Sequence, residues 1–154
     1  MMRVRSFLLL VALLLVSSAG PVAASSYELV FQRTRGLLPS GHRRWNLTLQ
    51  RGGQAVASWP AVSGTPKAQA ADRRWSPGNG APLPVGRYSV GWPERWDGSW
   101  WVDLSPRFST TRSALGIHTC LPGSGCICLP SKADTDAVVA WIRKADIRQL
   151  RVVN

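Results

Sequence analysis

From residue 27 onward, apolar and polar positions alternate along much of the chain. A strand points successive side chains to opposite faces, so a period of two marks a sheet with one buried face. YELVFQR, residues 27–33, has this period and reads as a first strand. RWNLTLQRGGQAVASWPAVSG, residues 44–64, reads as a hairpin. Leu47 and Leu49 alternate on its first arm, Val56 sits on the second, and Gly52-Gly53 can take the positive φ of a tight turn. GRYSVGW (86–92), WWVDLSPRF (100–108, as far as Pro106), SALGIHT (113–119) and LRVV (150–153) read as further strands, and Asp97-Gly98 marks a turn before the second of them. Only Asp134 to Ala145 has a helical period. Val138, Val139, Trp141 and Ile142 form its apolar face, and Asp134 or Thr135 is placed to cap its start. The fold class expected is mostly β with one C-terminal helix, as a single sandwich- or barrel-like domain without repeats. Residues 65–84, TPKAQAADRRWSPGNGAPLP, break the pattern and read as a long loop of the kind that often carries function.

The first 24 residues do not belong to that domain. Arg3 and Arg5 precede an apolar run from Phe7 to Val16, and Val22 and Ala24 have the spacing of a signal-peptidase site. The run is shorter than the ~20 residues that span a bilayer. Residues 1–24 therefore read as a secretory signal peptide and 25–154 as the folded domain, secreted or periplasmic. Contact with a membrane is expected only if the leader is retained.

The full chain carries a net charge of +11. An exported cationic protein is drawn to anionic surfaces such as cell wall or phospholipid. The basic residues are dispersed and no nucleic-acid-binding motif accompanies them, so a nucleic-acid partner is not expected. A monomer is expected.

LGIHTCLPGSGCICLP, residues 115–130, concentrates the chemistry: one of two histidines and all three cysteines. Three readings compete. His118, Cys120, Cys126 and Cys128 are residue types that zinc accepts, but the spacing His-x-Cys…Cys-x-Cys lacks the paired turns of structural zinc sites. A disulfide of Cys120 with Cys128, or with Cys126, suits an exported chain. A thiol nucleophile is the third reading. Cys126 follows the flexible Gly123-Ser124-Gly125, and His118 lies across a Pro-Gly turn as a base.

IH at 117–118 and SGCICLP at 124–130 resemble the active-site signature of the L,D-transpeptidase (YkuD-like) catalytic domain family. LTLQRGGQAVASWPAVSG is similar to that family's opening hairpin, and APLPVGRYSV (81–90) to a later strand. The resemblance runs in order over roughly residues 44–154. The short gap between His118 and Cys126 is closest to a compact-loop branch that includes secreted peptidoglycan-cleaving effectors. The resemblance implies a YkuD-like β domain that uses no cofactor and no metal and acts on peptidoglycan stem peptides. By the same resemblance Cys126 is the nucleophile and His118 its base, Gly125 and Cys126 offer oxyanion donors, and Ser124 orders the loop. Family members carry an arginine two residues after the cysteine. Here that position is Cys128, and Arg112 or Arg107 is the substitute.

Eight tryptophans are many for this length. Trp59, Trp92, Trp101 and Trp141 fall in strand or helix patterns and read as core. Trp75, Trp96 and Trp100 fall in or beside loops, where an aromatic ring can stack on a sugar or line a peptide cleft. Trp75 and Trp100, with Arg112, are the substrate-contact candidates. His42 reads as a solvated loop residue.

Overall fold

The computed structural model describes residues 26–75, 80–120 and 125–154. The leader expected over 1–24 and the loop residue Ser124 lie outside the described residues. The elements are β1 (Tyr27–Leu37), β2 (Arg43–Arg51), β3 (Gln54–Ala61), β4 (Gly86–Val90), β5 (Glu94–Trp96), β6 (Ser99–Pro106), β7 (Gly116–Thr119), β8 (Ile127–Leu129), α1 (Lys132–Ala145) and β9 (Gln149–Val153). Among the described residues the protein is mostly β with a single α-helix, at the C-terminal end, as the alternation predicts.

The strands form one sheet in the order β3-β2-β1-β9-β4-β6-β7-β8, and β5 pairs with β6. Neighbours are antiparallel except β1 with β9 and β7 with β8. The two edges of the sheet meet. Val62, just past β3, exchanges backbone hydrogen bonds of 2.8 and 2.9 Å with Cys128 of β8. The sheet thus curls into a nearly closed barrel, which occupies backbone groups that an open edge would leave bare.

Period-two burial drives this closure. Leu29 and Phe31 on β1, Leu47 and Leu49 on β2, and Ile117, Ile127 and Leu129 on β7 and β8 are fully buried in one core. Burying each such side chain stabilises the fold by about 1.5–3 kcal/mol. Helix α1 adds Val138, Val139 and Ile142 to that core. Among the described residues no helix is long and apolar enough to cross a membrane.

Two sequence expectations need correction. The helix begins at Lys132, and its N-cap is Ser131, whose Oγ accepts from the Asp134 amide at 3.2 Å. Thr135 is instead fully buried, and its hydroxyl lies 2.7 Å from that of Thr119. Trp92, read as core, is 48 % exposed. Strand β4 ends at Val90, so the alternation no longer aims Trp92 inward. Its ring lies outside, beside the guanidiniums of Arg143 and Arg148.

Candidate active site

β7 and β8 are parallel with Ile117 opposite Ile127 and His118 opposite Cys128. Because Ile117, Ile127 and Leu129 face the core, alternation puts His118, Cys126 and Cys128 on the opposite face. Trp101 of β6 is the cross-strand neighbour of His118. A row of side chains therefore runs Trp101, His118, Cys128 and on to Val62 across the seam of the barrel.

The sulfurs are divided two and one. Cys120 and Cys128 form a disulfide, one of the two pairings that the spacing allows, and Cys126 is free and buried. The ligating atoms of His118, Cys120 and Cys128 all lie within 4.8 Å of one another, as a metal site would require. Sulfurs bonded to each other are not thiolates, so in this form the set offers a metal only the imidazole.

The disulfide also acts on the histidine. His118 Nε2 lies 3.4 Å from Cys120 Sγ. A disulfide sulfur has no proton, so a hydrogen bond here forms only in the tautomer that carries its hydrogen on Nε2. In that tautomer Nδ1 holds the lone pair, and Nδ1 is buried without a hydrogen-bond partner. Trp96 stands edge-on to the imidazole at 5.3 Å and Trp101 lies tilted beside it at 5.2 Å. Burial lowers the pKa of His118, which keeps the ring neutral.

Cys126 follows a turn at Gly125, whose φ is +88°. A Cβ at Gly125 would collide with the Arg112 guanidinium and crowd the Ala81 carbonyl, so only glycine fits. Arg112 donates to the carbonyls of Arg73 (2.9 Å), Ala81 (3.0 Å) and Pro82 (3.2 Å). It thereby ties part of the long loop to the cysteine turn. The Cys126 thiol lies 3.6 Å from the Ala114 carbonyl and donates to it. Ala114 itself holds a left-handed φ of 51°, a strained conformation for a residue with a Cβ. Burial pushes the thiol pKa up, while the Gly116 backbone and the Arg112 charge work against the rise. The resting pair is a neutral thiol and a neutral imidazole. They share a face and are not hydrogen-bonded to each other. The ring partners Cys120, and the thiol partners Ala114.

The other sequence candidates divide. Gly125 is at the turn. Arg112 is at the site, with its terminal nitrogens engaged by the loop carbonyls of Arg73, Ala81 and Pro82. Arg107 is exposed. Trp75 is 52 % exposed. Trp100 is 9 % exposed, its Nε1 donates to Asp136 at 2.9 Å, and Arg95 and Arg143 lie over its ring at 3.9 and 4.4 Å, beside a surface cleft that these residues line. Trp101, expected only in the core, instead lines the histidine. Its indole lies across Gly116, where a Cβ would overlap it. Sequence reasoning also missed the Ala114 carbonyl and the contact of Cys120 with the imidazole. The strand register that brings these groups together is the signal, and it is legible only once the pairing of β5, β6, β7 and β8 is known. No family model matches this chain, and no curated protein matches it.

Proposed function

We propose that this protein is an exported, cysteine-dependent acyltransferase of the L,D-transpeptidase kind, acting on peptidoglycan stem peptides. The observation that carries the reading is the division of the sulfurs. One thiol, Cys126, stays free at a glycine turn beside Arg112. It lies on the same face as His118, whose Nδ1 lone pair is unpartnered. In this reading Cys126 turns from the Ala114 carbonyl toward Nδ1, which takes the thiol proton. The sulfur attacks a stem-peptide carbonyl, and backbone amides at Gly125 and Cys126 receive the developing oxyanion. His118 returns its proton to the departing amine, leaving a thioester on Cys126. An amine of a second stem then attacks the thioester carbonyl, gives up a proton to His118, and leaves as a new amide while the thiol is restored. Water in place of the amine makes the same site a carboxypeptidase or endopeptidase. Trp96, half-exposed beside the imidazole, offers an apolar wall for the bound substrate.

The test is incubation of the domain with disaccharide-tetrapeptide muropeptides, followed by mass spectrometry. The expected products are cross-linked dimers or shortened stems, absent with Cys126→Ala. Identical profiles for variant and wild type refute the enzyme.

A second reading has one observation in its favour. The thiol is only 8 % exposed and pairs with a carbonyl rather than with the imidazole. A wall-binding module without catalysis would look the same at rest. An unchanged product profile for Cys126→Ala together with sedimentation on intact sacculi selects that reading.

A further inference from the structure

Charge is unevenly distributed along this chain. No Asp or Glu occurs between residues 29 and 71, a span holding Arg33, Arg35, Arg43, Arg44, Arg51 and Lys67. The fold gathers three of these. β1 and β2 pair in register from Tyr27 to Arg33, then shift before Leu37 meets Arg43. That irregularity opens a cleft of about 380 Å³ lined by Arg33, Thr34, Arg35, Arg43, Gln69 and Ala70.

Two of the three guanidiniums are held rather than loose. Arg33 donates one N–H to the Gln69 carbonyl at 2.8 Å and lies 5.7 Å over the Trp45 ring. Arg43 donates one N–H to the Arg35 carbonyl at 2.8 Å. Their acceptors are backbone carbonyls, which leave the positive charge uncompensated. Among the described residues the carboxylates found in ion pairs are Glu28, Asp136 and Asp146, and none of them pairs with Arg33, Arg35 or Arg43. Arg73 shares the Trp45 ring at 5.1 Å. Burial and then the charge of Arg33 pull Arg73 down to about 10, a sign of like charges crowded at this end of the barrel.

We propose that this cleft is a binding site for a phosphate group, mono- or diester, carried by a cell-envelope lipid headgroup or by a soluble phosphorylated compound. Planar guanidiniums match phosphate oxygens two at a time, and anchoring them beforehand lowers the entropy lost on binding. Three positive charges suit a multiply charged anion better than a single carboxylate. The inference does not depend on chemistry at Cys126.

Calorimetric titration of the whole domain with inorganic pyrophosphate, and co-sedimentation with phosphatidylglycerol or phosphatidylcholine vesicles, test it. Saturable one-to-one binding of pyrophosphate is expected. Each of Arg33→Gln, Arg35→Gln and Arg43→Gln should weaken it at least about tenfold, the scale of a lost charge-assisted hydrogen bond. Removing the same charge at Arg87, Arg95 and Arg107 should change it less than about twofold, and thermal melts confirm that every variant is folded. Pyrophosphate binding with retention on phosphatidylglycerol vesicles assigns the source to lipid. Pyrophosphate binding without retention assigns it to a soluble phosphate. Equal losses in the two sets of variants, or no saturable binding, overturn the proposal.

Discussion

His118 Nε2 sits 3.4 Å from Cys120 Sγ, so the imidazole hydrogen-bonds to a disulfide. The bridge consequently does two jobs. It closes the loop that carries Cys126, and it lies against Nε2 of the ring, which favours the tautomer with its lone pair on Nδ1. Removing it by Cys120→Ser with Cys128→Ser should lower stability by about 2–3 kcal/mol, from the entropy that so short a loop returns to the unfolded chain. Urea unfolding of the double variant checks this, and wild type in reductant should shift toward the same midpoint.

Thiol counting tests the division of the sulfurs. Denatured, unreduced protein should give one titratable thiol per chain, and Cys126→Ala none. In the folded protein alkylation at neutral pH should be slower than for an unfolded peptide thiol, because burial raises the pKa of Cys126 and limits access. Mass-spectrometric rates with and without denaturant give the comparison. Two or three reactive thiols would contradict the bridge.

The histidine makes stability depend on pH. Its folded pKa is lowered by burial, so below about 6.5 the unfolded chain binds a proton that the folded one refuses. The contribution is complete above that value and is lost as pH falls from about 6.5 toward the folded pKa. Denaturation midpoints should fall over that window in wild type and less in His118→Gln. Cys126 acts at the other end. Its raised pKa means that stability declines as pH climbs above the ordinary thiol range, and Cys126→Ala should remove that decline.

Gly125→Ala combines a left-handed backbone with a collision against Arg112. The conformation alone costs about 1–2 kcal/mol, and displacing Arg112 would loosen its hold on the carbonyls of Arg73, Ala81 and Pro82. A lower unfolding midpoint, with faster proteolysis of the 65–84 loop, is the expected outcome. An unchanged midpoint would show that the turn is not held as described.

The tryptophans separate by burial. Trp100→Ala should cost about 3–5 kcal/mol, because a packed ring and its bond to Asp136 are lost together. Trp75→Ala should stay within about 0.5 kcal/mol, since that ring is exposed. Thermal or urea unfolding of both variants distinguishes them.

Much of this architecture is written in local pattern. The alternation through Leu47 and Leu49 makes a strand wherever it is placed, because one face must be buried. Gly52 and Gly53 take positive φ at the hairpin because no side chain forbids it. Val138, Val139 and Ile142 share a helical face, and that spacing alone commits them to the core. The crowding of His118 with the three cysteines was likewise legible, because all four lie within eleven residues. Other features depend on contacts distant in sequence, which local pattern does not encode. The seam between Val62 and Cys128 decides that the sheet closes. Strand register decides that Trp101, His118 and Cys128 fall in one row, and the end of β4 at Val90 leaves Trp92 outside the core. Spacing left two partners open for Cys120, and the parallel pairing of β7 with β8 selects Cys128 by setting it beside His118. The sequence by itself thus determined the elements and the stretch that holds the candidate chemistry. Only tertiary structure decided which sulfur stays free and which groups surround it, because those outcomes depend on strands brought together from separate parts of the chain.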